Sequence, residues 1–376
     1  MAIGIDFGGT KIEVALACAD GTLLERERLE TRAELGPRQA LARTAAAVRR
    51  LKARARESRW GSVTGYAAVA PGIVQSDSIL LTPNLPGWEN LALASELQHL
   101  LDLDHTPAVG NDVRAGALAE LRFGALRGVD PGLYISLGTG IAAAVTVGGR
   151  VLAGANQAAG EIAYMDPGVV VPRHGSGLAP LEEFVGGKAI GERASARLGE
   201  DVTAAEIFAR AASGADETAR SIVRETLDVL VRSIANIAVL IDPELVVLGG
   251  GMMASSDAIL PALREHLASS VPFPPRVVPA HFTRDASGAQ AGIASGRPRP
   301  GRCAGVLRCC RAGVRAGCRP GAAASCGPRA PGSCADGSRY PVRRAWPKVG
   351  LVWPGGRLPP CGVGRAATLQ GVAEGA

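Results

Sequence analysis

Along most of the chain, segments whose apolar residues have the spacing of a β-strand alternate with segments whose apolar residues have the spacing of an α-helix. Short runs with the period of a strand, such as residues 12–17, 63–69 and 132–137, are bounded by glycine-rich turns. Longer segments, such as residues 38–57 and 216–241, repeat their apolar positions at helical spacing. A similar order of strands begins at the N-terminus and again at Gly132. This duplicated order predicts two similar α/β domains that face one cleft.

The second half of the chain carries more helical pattern than the first. Residues 183–196, 203–212 and 258–268 are predicted helices, and residues 244–248 and 276–280 are predicted strands. Residues 288–294 resemble the start of a final helix. We therefore predict an N-terminal domain over residues 1–110 and a C-terminal domain over residues 111–296.

From residue 297 onward the pattern is lost. Glycine and proline make up about three residues in ten after residue 300, a level typical of disorder. From residue 301 onward, twelve Lys and Arg against two acids give a charge of 12 − 2 = +10, so residues 1–300 carry +6 − 10 = −4. Residues 297–376 are thus a basic tail, either disordered or the product of a frameshift near residues 294–297. Re-sequencing the gene across residues 294–297 distinguishes the two, because an intact reading frame would exclude the frameshift.

Charge and composition exclude several classes of function. The basic excess belongs to the tail and lacks patterned aromatic residues, so it does not predict nucleic-acid binding. No apolar run reaches the roughly 18 residues of a membrane span, and the N-terminus does not resemble a signal peptide. Cys18 is the only cysteine before residue 300. These features predict a cytoplasmic protein without a membrane partner.

Two glycine turns follow strand-like runs in equivalent places of the duplicated pattern. The first contains Asp6, Gly8, Gly9, Thr10 and Lys11. It lacks the spacing of a Walker loop, but its backbone N–H groups can approach a phosphate. Either turn alone is as well explained by an ordinary hairpin. Two such turns can hold one polyphosphate from both sides, and a third glycine run after a buried strand suits an adenosine. The second turn contains Gly138, Thr139 and Gly140, and the third run is Gly249, Gly250 and Gly251.

An amide and a carboxylate stand side by side between the two turns. Asn111 and Asp112 follow a short apolar step and precede a helix-like run over residues 115–122. A carboxylate at such a corner can face a cleft and take a proton from a substrate hydroxyl. We expect Asp112 to have this role.

Together these motifs resemble the ROK family of sugar kinases and repressors, within the actin/hexokinase/heat-shock-protein-70 ATPase superfamily. The resemblance runs from Ile3 to about residue 293. Its further motifs are Ala70-Pro71-Gly72, Pro83-Asn84-Leu85, Ala159-Gly160-Glu161-Ile162 and Leu181-Glu182. It implies two ribonuclease-H-like, actin-like ATPase domains around a central cleft.

The resemblance also implies a reaction and its residues. A glucose-like hexose would be phosphorylated by ATP with Mg²⁺, at its 6-OH, and Asp112 would be the general base. Asn84, Asn111, Glu161 and Glu182 would bind the other sugar hydroxyls, and Asp6 would hold Mg²⁺ through water. As simpler explanations, the two asparagines suit turns and Glu182 suits an exposed helix. The family further implies a homodimer.

The chain departs from the family at two places. Tyr164 stands where many members carry a histidine, and residues 166–180 contain no cysteine, so His174 alone does not make a zinc site. We therefore predict no structural zinc. Two alternatives to a kinase remain: a ROK-type transcriptional regulator without a DNA-binding domain, and a non-catalytic sugar or nucleotide binder.

Overall fold

Two five-stranded sheets with the same pairing pattern organise the computed structural model, which describes residues 1–18, 21–82, 84–169 and 179–282. In each sheet three consecutive strands pair antiparallel, and two later strands extend the edge in parallel. The predicted duplicated α/β fold is confirmed. Strands β1 (Ala2–Phe7), β2 (Lys11–Ala17), β3 (Leu23–Glu30), β4 (Gly65–Ala70) and β7 (Ala108–Asn111) form the first sheet in the order β3-β2-β1-β4-β7. Strands β8 (Gly132–Leu137), β9 (Ile141–Val147), β10 (Arg150–Val151), β11 (Leu245–Gly249) and β12 (Arg276–Pro279) form the second in the order β10-β9-β8-β11-β12.

Eight α-helices accompany the two sheets in the described residues, with a small hairpin of β5 (Ile73–Val74) and β6 (Ile79–Leu80). The segment predicted as one helix over residues 183–196 is two helices that meet at Gly186, whose extended backbone (ψ 144°) interrupts the helical turn. The helices are α1 (Gly36–Glu57), α2 (Leu93–Leu101), α3 (Asp112–Phe123), α4 (Glu182–Val185), α5 (Gly187–Leu198), α6 (Ala204–Ser213), α7 (Glu217–Ile241) and α8 (Ser256–Ser270).

Each sheet has its own hydrophobic core. In the first, Phe7 of β1 packs on Trp88 with ring centroids 5.0 Å apart, and both side chains are fully buried. In the second, the buried stripe of α7 packs against β8 and β11. Full burial of one large apolar side chain stabilises a fold by roughly 1.5–3 kcal/mol. The apolar residues whose spacing predicted these elements are therefore the same residues whose packing stabilises them.

Helix α3 lies between the two cores because its side chains are small. Ala115 and Ala119 pack with Val69 of the first sheet, and Phe282 packs against the same cluster. Ala117 packs with Tyr134 of the second sheet. Small residues let both sheets approach one helix closely, so the start of α3 is fixed from two sides.

Several predictions lie outside the described residues. They concern the final helix at 288–294 and the tail at 297–376. The division of the domains between residues 110 and 111 stays a prediction. In the described part of the chain, no helix combines the length and apolarity needed to cross a bilayer.

Candidate active site

The corner that carries Asp112 is built by Asn111. Asn111 ends β7 and caps α3, its Oδ1 accepting from the N–H groups of Val113 at 2.9 Å and Arg114 at 3.1 Å. Its Nδ2 donates to the carbonyl of Gly72 at 2.8 Å. Helix α3 therefore begins at Asp112, three residues before the predicted run. Since the oxygen of Asn111 is used within the fold, only one amide proton is left for a ligand.

Two carboxylates have strongly raised pKa values at this edge of the first sheet. Burial raises the pKa of Asp112 to about 6, although its carboxylate accepts a hydrogen bond from Val113 N–H. Burial and the nearby charges of Asp112 and Glu13 raise the pKa of Asp6 to about 7, and Lys11 opposes the shift. A carboxylate with a pKa near the working pH is suited to exchange a proton.

The first glycine turn exposes unused backbone donors. Gly8 N–H donates to Lys11 carbonyl at 2.9 Å, and the hydroxyl of Thr31 donates to Gly8 carbonyl at 2.5 Å. Within the described residues no acceptor is bonded to the N–H of Gly9 or Thr10. These two groups are available to an anion.

Asn84 packs on this first turn. A Cβ added to Gly9 would lie 3.0 Å from the Cβ and from the carbonyl oxygen of Asn84. The Asn84 side chain is exposed. Glycine at position 9 thus lets the loop that carries Asn84 approach the turn.

The second glycine turn is held by the start of helix α5. Gly187 N–H donates to Gly138 carbonyl at 2.9 Å, and Lys188 N–H donates to Thr139 carbonyl at 3.1 Å. Gly138 N–H bonds to Gly140 carbonyl at 2.9 Å. The N–H groups of Thr139 and Gly140 have no acceptor among the described residues. The two turns therefore offer matching pairs of free donors.

Glu182 lies directly behind the second turn. Its carboxylate accepts from Ile141 N–H at 3.1 Å, and a Cβ on Gly140 would overlap it. Burial raises the pKa of Glu182, while the bond from Ile141 and the charge of Lys188 oppose the rise. Glu182 is thus half-buried at the start of α4 rather than on an exposed helix face.

The third glycine run is required mainly by packing. Gly249 lies against the buried hydroxyl of Tyr134, which a Cβ would approach to 2.5 Å. Gly250 has φ 91°, and a Cβ there would overlap the backbone of Leu137. Gly251 alone of the three lines a cavity. The adenosine role of the run stays a prediction.

A cavity of about 450 Å³ lies beside the second turn. A second one, of about 550 Å³, continues from it along α5 and shares Lys188 and Thr203 with it. Lys188, Phe208 and Met252 are lining residues that the sequence reasoning missed, although the run Gly186-Gly187-Lys188 after Glu182 was a usable signal. The first cavity is lined by Gly138, Thr139, Gly187, Lys188, Thr203, Ala204, Ala205, Phe208, Gly251, Met252, Ala254 and Ser255.

Glu161 joins the acids around Asp112. Gly160 places it, because φ is 93° and a Cβ would overlap the carbonyl of Ala143. The pKa of Glu161 is raised by burial and by the charges of Asp112 and Glu182, and it is lowered by Arg114. Glu161 is therefore close enough to Asp112 and to Glu182 to be repelled by both.

Two further residues border these acids. Tyr164 is 44% exposed, and burial together with the charges of Glu161 and Glu182 raises its pKa. Arg114, in the first turn of α3, is a further residue that the sequence reasoning missed. A cation two residues after the expected base was the signal.

The metal predictions are only partly covered by the described residues. In that part of the chain no group of three or more His, Cys, Asp or Glu side chains is arranged to hold a metal ion. Residues 170–178, with His174, lie outside it. The expected lack of structural zinc stays a prediction.

Comparison with known proteins agrees with this geometry. The family model described as ROK family matches residues 2–296. The N-acetylgalactosamine kinase AgaK of Shewanella sp. (strain ANA-3) is 31% identical over 290 residues, covering 73% of this chain and 90% of that protein. The N-acetylmannosamine kinase of Shigella boydii is 33% identical over 290 residues, covering 76% and 94%. The crystal structure of a ROK hexokinase from Thermus thermophilus superposes with a TM-score of 0.65 at 27% identity, covering 78% and 97%.

Proposed function

Because this chain belongs to the ROK family, we propose that it is an ATP-dependent sugar kinase in which Asp112 is the general base. The observation that carries the proposal is the environment of Asp112. Its carboxylate has a pKa of about 6, stands at the start of a rigid helix, and interacts with Glu161, a carboxylate suited to sugar hydroxyls. An ionised Asp112 at neutral pH can accept the proton that the attacking hydroxyl loses.

The two glycine turns would bind the polyphosphate of ATP. Gly9 and Thr10 on one side, and Thr139 and Gly140 on the other, offer backbone N–H groups without an acceptor in the described residues. Such donors suit phosphate oxygens because they cost no reorganisation when the ligand binds. The two cavities along α5 would receive the nucleoside, with Gly251 and Lys188 in their walls.

The sugar would lie on the other side of Asp112. Glu161 and Glu182 can each accept from two hydroxyls, and Asn111 can donate its remaining amide proton. Asn84 would reach the sugar from its loop against the first turn. We propose that the 6-OH is the attacking group because a primary hydroxyl can approach a buried base with the least crowding.

The acids also fit a bound Mg²⁺. Asp6 and Asp112 repel each other, and Mg²⁺ in kinases is typically held by one or two carboxylates together with water and the phosphates. Asp6 would hold the ion through water. When bound, Mg²⁺ neutralises charge that develops on the transferred phosphoryl group.

The sugar itself is the finer part of the proposal. The two relatives above are kinases of N-acetylated amino sugars, and the hexokinase is a structural relative. We propose a hexose or its 2-acetamido derivative as the substrate, with glucose as one member of the set. Tyr164 is close enough to Glu161 and Glu182 for their charges to raise its pKa, and we propose that it contacts the sugar.

A coupled ADP-release assay with Mg-ATP tests the proposal. The panel is glucose, mannose, fructose, N-acetylglucosamine, N-acetylmannosamine and N-acetylgalactosamine, and ³¹P–¹H NMR identifies the phosphorylated carbon. We expect turnover on at least one sugar with phosphate on C6. Sugar binding without turnover on the whole panel would refute the kinase and favour a ROK-type regulator or sugar binder. Light scattering of the same sample tests the proposed homodimer.

A further inference from the structure

Arg114 lies beside the expected base, in a position where its guanidinium is partly removed from water. It lies two residues after Asp112 in the first turn of α3, and its side chain is half-buried. Burial lowers the pKa of its guanidinium, and the charge of Glu161 opposes that change. A partly desolvated cation needs hydrogen bonds and a counter-charge to be tolerated.

Within the described residues, the side-chain hydrogen bonds of Arg114 both go to one loop, which we define as residues 152–161. The loop follows β10 and ends at Glu161. Arg114 Nη1 donates to the carbonyl of Ala153 at 3.3 Å and to Oε1 of Gln157 at 3.1 Å. The Ala153 carbonyl also accepts from Ala159 N–H at 3.2 Å, which closes the loop on itself. One guanidinium therefore holds both the beginning and the middle of the 152–161 loop.

The same loop is also attached to the β5–β6 hairpin. Gln75, next to strand β5, donates from Nε2 to the carbonyl of Asn156 at 3.3 Å. Backbone hydrogen bonds attach both ends of the loop to β9: Leu152 N–H donates to the Val145 carbonyl at 2.8 Å, and Ala143 N–H donates to the Gly160 carbonyl at 2.8 Å. Arg114 is the side chain that ties the middle of the loop, at Gln157, to α3, the helix that begins with Asp112.

The charges around Glu161 explain why a cation belongs there. Asp112 from α3 and Glu182 from α4 both raise the pKa of Glu161, and Arg114 is the cation that lowers it. Tyr164, on the turn after Glu161, is influenced by the same carboxylates. In the part of the chain that the structure describes, Arg114 is the one cation among the groups that shift the pKa of Glu161, so without it Glu161 would bind protons more readily.

We propose that Arg114 is a positioning residue of the sugar site, which holds the 152–161 loop and the Glu161 carboxylate against the first turn of α3. The inference rests on the proposed function, because it assumes that Glu161 binds the sugar. If Arg114 has this role, the first turn of α3 fixes both the position of the base, Asp112, and its distance from the sugar ligand Glu161. Arg114 itself touches neither the sugar nor ATP.

The test compares Arg114→Gln and Arg114→Lys with Arg122→Gln, a matched loss of charge at an exposed position of the same helix. In Arg114→Gln we expect hydrogen exchange of the 152–161 loop to become about tenfold faster, the factor of one net hydrogen bond. The KM for the sugar should rise by a similar factor of about ten, with a much smaller change in kcat.

The pH dependence separates the two roles of the side chain. In Arg114→Gln the loss of sugar affinity at low pH should begin at a higher pH, since Glu161 loses its cation. Arg114→Lys keeps the charge but not the planar donor, so its pH profile should stay near that of the wild type while the loop exchanges faster. Arg122→Gln should change none of these quantities.

Gln157→Asn tests the same contact from the other partner, at an exposed position that will not prevent folding. Asparagine tolerates the left-handed backbone of residue 157 (φ 60°) but is one methylene too short to accept from Arg114. We expect faster loop exchange and a higher sugar KM, in the direction of Arg114→Gln. Unchanged loop exchange in both Arg114→Gln and Gln157→Asn would overturn the proposal. Because exchange needs no turnover, it decides this point even if the kinase assay fails.

Discussion

Replacing Asp112 by asparagine should remove activity and stabilise the fold. The side chain keeps its size and can still accept a hydrogen bond from Val113 N–H, which lies 2.9 Å from Oδ1. What it loses is the ability to take a proton. Since general-base catalysis contributes about 10²–10⁴-fold, we expect kcat to fall by at least a factor of about 100. Sugar binding should change by less than about threefold, because Glu161 and Glu182 remain.

The gain in stability follows from the raised pKa. Asp112 has an ordinary value of 3.8 in the unfolded chain and about 6 in the fold, so folding disfavours its ionised form. The difference of about 2 pH units corresponds to about 3 kcal/mol at 1.36 kcal/mol per unit. The wild type bears this cost fully above about pH 6 and not at all below about pH 4. The buried amide loses part of the gain to its own desolvation, which leaves roughly 1–2 kcal/mol, or about 3–6 °C in Tm.

Thermal unfolding at pH 8 and pH 4, calorimetric titration with the sugar and the ADP-release assay measure the three effects. Asp257→Asn is the control, since it removes an exposed carboxylate from the first turn of α8. It should keep full turnover and be unchanged or slightly less stable. More than about 1% residual kcat in Asp112→Asn would refute the base, which should supply at least a factor of about 100. A Tm at pH 8 that does not rise would refute the argument from burial.

Three other outcomes follow from the same geometry. Wild-type kcat/KM should fall as pH drops through about 6, because Asp112 must be ionised to accept a proton; a flat pH–rate profile between about pH 5 and 8 would contradict this. Gly250→Ala should cost at least about 2 kcal/mol in denaturant unfolding because of its φ of 91° and its overlap with neighbouring backbone, while Gly148→Ala, with φ 60° in open space, should cost only about 1 kcal/mol; equal losses would contradict the packing argument. Lys188→Met should raise the KM for ATP about fivefold and leave the KM for the sugar nearly unchanged, a split that steady-state kinetics can measure.

The fold was largely predictable because its signals are local. The strand periods, the glycine turns and the duplicated order correctly predicted two α/β units with equivalent turns. The predicted helix boundaries were wrong where a single residue determines the end of a helix. Asn111 starts α3 three residues early by capping it, and Gly186 divides a segment whose apolar spacing is continuous. Both effects depend on backbone geometry that the spacing of apolar residues does not encode.

The chemistry of the site was less predictable because it depends on distances between segments far apart in the chain. Sequence placed Asp6, Asp112, Glu161 and Glu182 in separate motifs, but nothing in the motifs predicts that Asp112 repels Asp6 or that Asp112 and Glu182 both repel Glu161. The structure puts a cation beside three of these four acids: Lys11 lowers the pKa of Asp6, Arg114 that of Glu161, and Lys188 that of Glu182.

Asp112 is the exception, since no cation is among the groups that lower its pKa in the described residues; only backbone hydrogen bonds oppose the burial. A base that must hold a proton briefly is better without a fixed counter-ion, whereas carboxylates that only bind hydroxyls are better kept ionised. This distribution supports the proposed roles of Asp112 as the base and of Glu161 and Glu182 as sugar ligands. It depends on Arg114 and Lys188, two residues that the sequence motifs did not include.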